Sequence, residues 1–203
     1  MRNSKLALAG ATLLVGLSLA ACGGSTSSDQ GMNVADMSAM GSVVAPANDG
    51  DIAFAQLMIP HHQQAVEMAD MALAHGVTGD VLNLANQIKA AQDPEIAQMT
   101  AWLAAWGAPL DMASSDGMSG MDMGGASSEG MMSADDMAAL DQASGVDFDT
   151  MWMQMMIKHH EGAISMANQV LSTTSNADVK TLAEAVVSGQ TAEIETMQKL
   201  LGQ

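Results

Sequence analysis

Two pairs of adjacent histidines are the residues in this sequence best suited to chemistry. They are His61-His62, in the segment MIPHHQQAVEMA, and His159-His160, in the segment MIKHHEGAISMA. Neighbouring residues on a helix point about 100° apart, so the two members of a pair straddle the apolar face of such a helix. Imidazole is a common copper ligand and accepts Cu(II) as well as Cu(I). The pairs therefore predict a metal site inside a helical structure.

Methionines stand at helical spacing from both histidine pairs. Met58 and Met68 flank the first pair, and Met156 and Met166 flank the second. A thioether and an imidazole three or four residues apart on a helix can converge on one ion. Because thioether sulfur is a soft ligand, this combination favours Cu(I), with Ag(I) as its mimic.

A structural role for the histidines is the alternative. A buried imidazole costs free energy unless it is hydrogen-bonded, and the sequence offers partners. Glu95 and Glu193 stand at equivalent positions of an internal repeat, and so do Gln92 and Gln190. If these side chains accept the imidazole N–H groups, the histidines are polar staples that fix the register of the helices. The sequence leaves both roles open.

A second group of methionines lies in a polar segment between the two histidine pairs. Its members are Met112, Met118, Met121, Met123, Met131, Met132 and Met137, surrounded by Gly, Ser and Asp. Met118, Met121 and Met123 have the spacing M-x-x-M-x-M. A segment this polar is not expected to form a core, so packing does not explain its methionines. Thioethers on such a chain can wrap a soft cation, which predicts a further Cu(I) or Ag(I) site.

The internal repeat sets the architecture. Residues 51–103 align with residues 149–201 without a gap, and 19 of the 53 positions are identical. Each copy has two stretches with apolar residues at helical spacing, which predicts a hairpin of two helices. Two hairpins with matching apolar faces bury them by packing together. The predicted fold class is an all-α four-helix bundle, with hairpins at 49–107 and 147–203 and a flexible, methionine-rich connection at 108–146.

Breaking and capping residues give the helix boundaries. The predicted helices span residues 51–73, 80–106, 147–171 and 178–201, with a short helix capped by Ser133 and Asp136 whose Leu140 docks on the bundle. Gly76 and Gly79 break the first hairpin, and Asp80 is the expected N-cap of its second helix. Pro60 and Pro94 each remove a helical hydrogen bond, and we expect them to kink these helices without ending them.

The N-terminal segment predicts export. An apolar run follows two basic residues within residues 1–21; it is too short for a stable membrane span and is typical of a secretory signal. The run ends in Leu-Ala-Ala-Cys22, which resembles the lipobox of bacterial lipoproteins, and this resemblance implies cleavage before Cys22 and lipidation of its thiol. Residues 22–48 are predicted to be a flexible tether. The expected location is the outer face of the cytoplasmic membrane, with the lipid anchor as the sole membrane contact.

The composition excludes one class of partner. The chain has 23 acidic and 6 basic residues, which gives a formal net charge of −17. Such a surface repels the phosphate backbone, so nucleic-acid binding is not expected. The same charge attracts cations.

The histidine segments carry a family resemblance. The pattern M-I-x-H-H-x-x-A-[VI]-x-M-A occurs twice, and residues 51–201 resemble the domain of unknown function 305 family. The resemblance implies a ferritin-like four-helix bundle outside the cytoplasm, in a family that includes a copper-resistance protein. It also implies binding of copper, with silver as a further candidate. The residues that match the family pattern are Met58, His61, His62, Met68, Met156, His159, His160 and Met166.

These observations together predict a metal-binding protein and not an enzyme. It is expected to sequester copper outside the membrane or to pass it to a copper-handling protein. A bundle that binds no metal and uses its histidines as staples is one alternative. A ferritin-like di-iron oxidase is another, but its metal site needs Glu-x-x-His pairs, and the sequence contains none.

Overall fold

The computed structural model describes residues 45–111 and 129–203, and these ranges contain helices and no strand. The helices are α1 (Asp49–Ala74), α2 (Gly79–Trp106), α3 (Ala134–Gln142), α4 (Gly145–Leu171) and α5 (Ala177–Leu200). The predicted signal segment, Cys22, most of the tether, and Met118, Met121 and Met123 lie outside the described residues. None of the helices in the described part of the chain is long and apolar enough to cross a membrane.

The four long helices form two hairpins, as the repeat predicts. Helix α1 packs along α2 and α4 packs along α5, and the hairpins meet mainly through α1 and α4. The apolar positions that recur on α1 face inward, and Phe54, Met58, Ala65 and Met68 are all buried. The predicted all-α bundle is therefore confirmed. On α2 the apolar face is imperfect, because Ile96 is only partly buried.

Local sequence explains where the helices begin and end. Asn48 caps α1 and forms a capping box with Asp51, so the helix starts slightly earlier than predicted. The α1–α2 turn contains two glycines with positive φ, Gly76 and Gly79, a conformation that side chains with a Cβ disfavour. The prediction of Asp80 as N-cap is wrong: Thr78 occupies that position, and Asp80 lies in the first turn, where its charge favours the helix dipole.

Both prolines lie within continuous helices. Helix α1 runs through Pro60 and α2 runs through Pro94. A proline within a helix removes one hydrogen bond, but most of the stability of a protein helix comes from the packing of its apolar face. The expectation that these helices continue past their prolines is confirmed.

The described end of the predicted flexible connection is ordered. Ser133 and Asp136 form the predicted capping box of α3, and Leu140 is fully buried. Met132 and Met137 are also buried and belong to the core. The expectation that packing does not explain the methionines of this segment is therefore wrong for these two, because Met137 of α3 and Met132, which precedes α3, both pack into the core.

Candidate metal centre

A layer of polar side chains crosses the middle of the bundle, and we call it the histidine layer. Its members are His61 and His62 of α1, Gln92 and Glu95 of α2, His159 and His160 of α4, and Gln190 and Glu193 of α5. It lies between two apolar clusters of the core. The four imidazoles are at most 2% exposed. Such burial is costly for a polar ring that lacks partners, so the hydrogen bonds of each ring matter.

Two of the imidazoles are held by carboxylates. His62 Nε2 lies 2.8 Å from Glu95 Oε2, and His160 Nε2 lies 2.7 Å from Glu193 Oε2. A carboxylate oxygen accepts, so Nε2–H is the donor in both pairs. Nδ1 then keeps its lone pair, and in both rings Nδ1 is buried without a hydrogen-bond partner. The hydrogen bonds predicted for the two glutamates are thus present, and they point a free ring nitrogen into the core.

The other two imidazoles face each other across the interface between α1 and α4. The ring centroids of His61 and His159 are 3.8 Å apart, with the ring planes inclined by 40°. His61 Nε2 donates to the backbone carbonyl of Glu129 at 3.2 Å, which leaves Nδ1 as the lone-pair atom. Neither nitrogen of His159 has a partner. Every histidine in the layer therefore has an unpartnered Nδ1.

Burial keeps this central pair neutral. Desolvation, followed by the proximity of His62, lowers the pKa of His61 to about 3, although the hydrogen bond to Glu129 opposes the shift. Desolvation and then the neighbouring His61 hold the pKa of His159 well below its usual range. At neutral pH both rings are therefore uncharged and retain a lone pair, which is the form that binds a metal.

The glutamines of the layer behave differently from the glutamates. The expectation that Gln92 and Gln190 accept hydrogen bonds from the imidazoles is wrong, because the side-chain oxygens of both glutamines are without a partner. Both amide atoms of Gln92 are buried without a partner, and so is Oε1 of Gln190.

A short backbone segment crosses α1 and α4 beside the central histidine pair. We call Glu129–Met132 the strap. Gln64 holds one end of it: Nε2 donates to the carbonyl of Met132 at 2.9 Å, and Oε1 accepts from the Met132 N–H at 2.7 Å. The Glu129 carboxylate at the other end accepts a hydrogen bond from Ser165 at 3.0 Å. The sequence does not predict the strap, because its residues have no helical spacing of apolar positions.

Close backbone approach explains two glycines at the strap. Gly130 has φ +79° and lies directly over Gly162 of α4; a Cβ on Gly162 would stand 2.2 Å from the Glu129 carbonyl oxygen. In the repeat, Gly162 corresponds to Gln64. One copy therefore holds the strap by its side chain, and the other makes room for it.

The candidate methionines border the layer on both sides. Because α1 and α4 run in opposite directions, Met68 and Met156 lie in one apolar cluster, and Met58 and Met166 lie in the other. All four are buried. Within residues 45–111 and 129–203, no three His, Cys, Asp or Glu side chains are grouped so that they can hold one metal ion. The arrangement therefore offers imidazoles singly or in pairs, with buried thioethers in the apolar clusters on either side.

Comparison with known proteins identifies relatives of this bundle. Residues 51–201 match the sequence profile of the family described as "Domain of unknown function (DUF305)". The chain is 30% identical to a DUF305 fragment from Deinococcus radiodurans, covering 78% of this chain and 99% of that one with a TM-score of 0.66. A DUF305 protein from Streptomyces coelicolor inferred to be secreted is also 30% identical, covering 75% of this chain and 92% of that one with a TM-score of 0.68.

A third relative has been solved with metal. CopM in its Cu(I)-bound form is 30% identical, covering 74% of this chain and 94% of that one with a TM-score of 0.59. Other CopM structures are in Cu(II)-bound and silver-bound forms. No curated protein sequence matches the chain. Since the family match covers residues 51–201, which include both hairpins and both histidine pairs, this protein belongs to the DUF305 family.

Proposed function

We propose that this protein binds copper outside the cytoplasm and holds it as cargo. The observation that carries the proposal is the set of four buried imidazoles whose Nδ1 atoms have no partner. A buried lone pair without a donor costs free energy, and the fold places four of them in one layer. A soft cation that accepts imidazole nitrogen offsets this cost.

The low coordination number of Cu(I) suits this geometry. His61 and His159 face each other across the α1–α4 interface, and two imidazoles with one or two thioethers complete the coordination of a soft monovalent ion. The described residues contain no group of three His, Cys, Asp or Glu side chains that could hold one metal ion, which argues against a ferritin-like di-iron centre. This absence does not weaken the case for Cu(I).

The carboxylates support the same function. A metal-binding histidine commonly donates its second ring N–H to a carboxylate, which fixes the ring and makes the free nitrogen more basic. Glu95 and Glu193 have this relation to His62 and His160. The two hydrogen bonds therefore fix the rings within the bundle and also make Nδ1 a better metal ligand. The structural role and the metal-binding role of these histidines are compatible.

The relatives favour copper. CopM shares the fold and 30% of its aligned residues with this chain and has been solved with Cu(I), Cu(II) and silver. Met118, Met121 and Met123 would add a second, thioether-only site in this proposal. The lipid on Cys22 would keep the protein at the outer face of the membrane, where it buffers copper or delivers it to a protein partner. No catalytic step is part of this function.

A competition titration with matched leucine variants tests the proposal. Cu(I) is added anaerobically to the full chain against a strong chelator, and wild type is compared with His159→Leu. Because neither ring nitrogen of His159 has a hydrogen-bond partner, this change removes a ligand without removing a side-chain hydrogen bond. We expect wild type to compete for Cu(I) and H159L to bind it roughly tenfold more weakly or worse.

The control is His75→Leu, which removes a histidine outside the layer. His75 stacks on Phe148 and lies 3.4 Å from Asp141, and the H75L variant should bind Cu(I) as wild type does. Equal affinity of wild type and H159L would remove the central pair from the site. If wild type takes up neither Cu(I) nor Ag(I), the protein is a scaffold whose histidines are staples only.

A further inference from the structure

A small cavity lies between α2 and α5, where these helices contribute their residues to the histidine layer. Its volume is about 40 Å³, and its polar lining consists of Gln92 and Glu95 from α2 and Gln190 and Glu193 from α5. These residues occupy equivalent positions in the two copies of the repeat. The remaining lining residues are alanine, valine and glycine. The cavity is thus a symmetric polar chamber with apolar walls, large enough for one small occupant.

The amides in this cavity have unmet hydrogen-bonding capacity. Gln92 is 2% exposed and has no partner for either Oε1 or Nε2, and Gln190 is 5% exposed and has none for Oε1. Buried amide groups without partners are rare in native proteins, since each costs free energy. An occupant of the cavity that binds amide oxygen removes this cost.

The carboxylates add charge to the same cavity. Glu95 and Glu193 each use Oε2 for a histidine, which leaves Oε1 of each free of that bond. Their side chains are 19% and 17% exposed, so an ion can reach them from solvent. No lysine or arginine lines the cavity. A water can satisfy an amide, but two carboxylates beside one cavity with no basic residue in its lining favour a cation as the occupant.

We propose that this cavity binds one hard divalent cation, of the class of Ca²⁺ or Mn²⁺. Carboxylate and amide oxygens, completed by water, are the ligands that such ions prefer. The site uses oxygen only and is separate in chemistry from the nitrogen and sulfur of the copper site. Glu95 and Glu193 also accept the hydrogen bonds of His62 and His160. A cation bound to these two carboxylates therefore fixes them, and through them it stabilises the positions of the two imidazoles.

The test measures binding of Mn²⁺ to the metal-free full chain. Free Mn²⁺ is counted by electron paramagnetic resonance in about 1 M KCl, where a Debye length of about 3 Å suppresses weak binding to the acidic surface. Ca²⁺ is then added as a competitor. We expect one saturable Mn²⁺ per chain, displaced by Ca²⁺.

Two double variants locate the ion. Q92L/Q190L removes both amide ligands and replaces unpartnered polar groups with apolar ones, so it should fold; we expect its Mn²⁺ affinity to fall roughly tenfold or more, as when supporting groups of a metal site are lost. The matched control Q87L/Q98L makes the same change at two exposed glutamines of α2 and should bind as wild type does. A third variant, Q92E, adds a carboxylate to the cavity and should bind Mn²⁺ more tightly.

The outcomes separate this proposal from the copper site. If wild type shows no saturable Mn²⁺ or Ca²⁺ binding in high salt, or if Q92L/Q190L and Q87L/Q98L bind equally, the cavity holds water only and the proposal is wrong. Cu(I) affinity is measured on the same samples and should stay close to that of wild type in the control Q87L/Q98L, whose substitutions lie outside the histidine layer. If wild type binds Mn²⁺ as expected but does not bind Cu(I), the proposed copper function is wrong and the proposed cation site is still supported.

Discussion

In three of the four buried histidines, a single hydrogen bond to each ring decides which of its nitrogens is free. Glu95 and Glu193 take the Nε2–H of His62 and His160, and the carbonyl of Glu129 takes that of His61. The two glutamates could be predicted from sequence, because each recurs 98 residues from the other. The Glu129 contact could not, since it uses a backbone atom that no side-chain pattern reveals.

Acid should destabilise the protein through the central pair. The pKa of a histidine is about 6.5 in an unfolded chain, and the pKa of His61 in the fold is about 3; that of His159 is also strongly lowered. Between these values the unfolded chain binds more protons. The contribution of the two neutral, buried histidines to the free energy of unfolding is therefore complete above pH 6.5. As the pH falls below that value, the free energy of unfolding decreases by about 1.4 kcal/mol per pH unit for each histidine.

Urea unfolding of the metal-free protein between pH 7 and 5 measures this loss. Carboxylates elsewhere contribute to the slope, so the informative quantity is the difference between wild type and H159L. We expect the free energy of unfolding to fall less steeply with acid in the variant, because one buried histidine is absent. Equal slopes would mean that His159 is accessible to protons in the fold.

Helical periodicity and the internal repeat predict the four long helices. They predict nothing for segments that have neither a helical period nor a counterpart in the repeat. The apolar spacing around Met58 and Met68 indicates α1, and the same pattern recurs in α4. The strap, Glu129–Met132, has no period, and its place is set by Gln64 and by the room left at Gly162. Met132 therefore looks like part of a polar linker in sequence, although tertiary contacts bury it.

A glycine-to-alanine pair tests the strap. In Gly162→Ala the new Cβ would overlap the Glu129 carbonyl, so we expect the strap to shift and the free energy of unfolding to fall by about 1–3 kcal/mol, the usual cost of overpacking. The control is Gly189→Ala in the middle of α5, where a Cβ meets nothing within 4 Å. That change should raise stability by up to about 1 kcal/mol through helix propensity. Chemical denaturation measures both, and a G162A protein as stable as G189A would show that the strap is not packed on α4.

At the scale of the whole molecule, an acidic exterior surrounds a core divided by a polar layer. The formal net charge of −17 concentrates cations near the surface, and in the proposed function the buried imidazoles and thioethers would select soft ions among them. The fold class follows from two hairpins with matching apolar faces. The division of the core follows from the histidine, glutamine and glutamate positions that the repeat places at one level. Sequence alone could not show which nitrogen of each ring is free.

Side-chain ¹⁵N NMR of the histidines, recorded before and after addition of Ag(I), tests whether the histidine layer binds metal through its Nδ1 atoms. We expect His61, His62 and His160 to be Nε2–H tautomers in the metal-free protein. On addition of Ag(I), the Nδ1 signals of layer histidines should shift while the signals of His75 stay in place. Nδ1 signals that do not respond to Ag(I), or a response confined to His75, would contradict the assignment of the histidine layer as the metal centre.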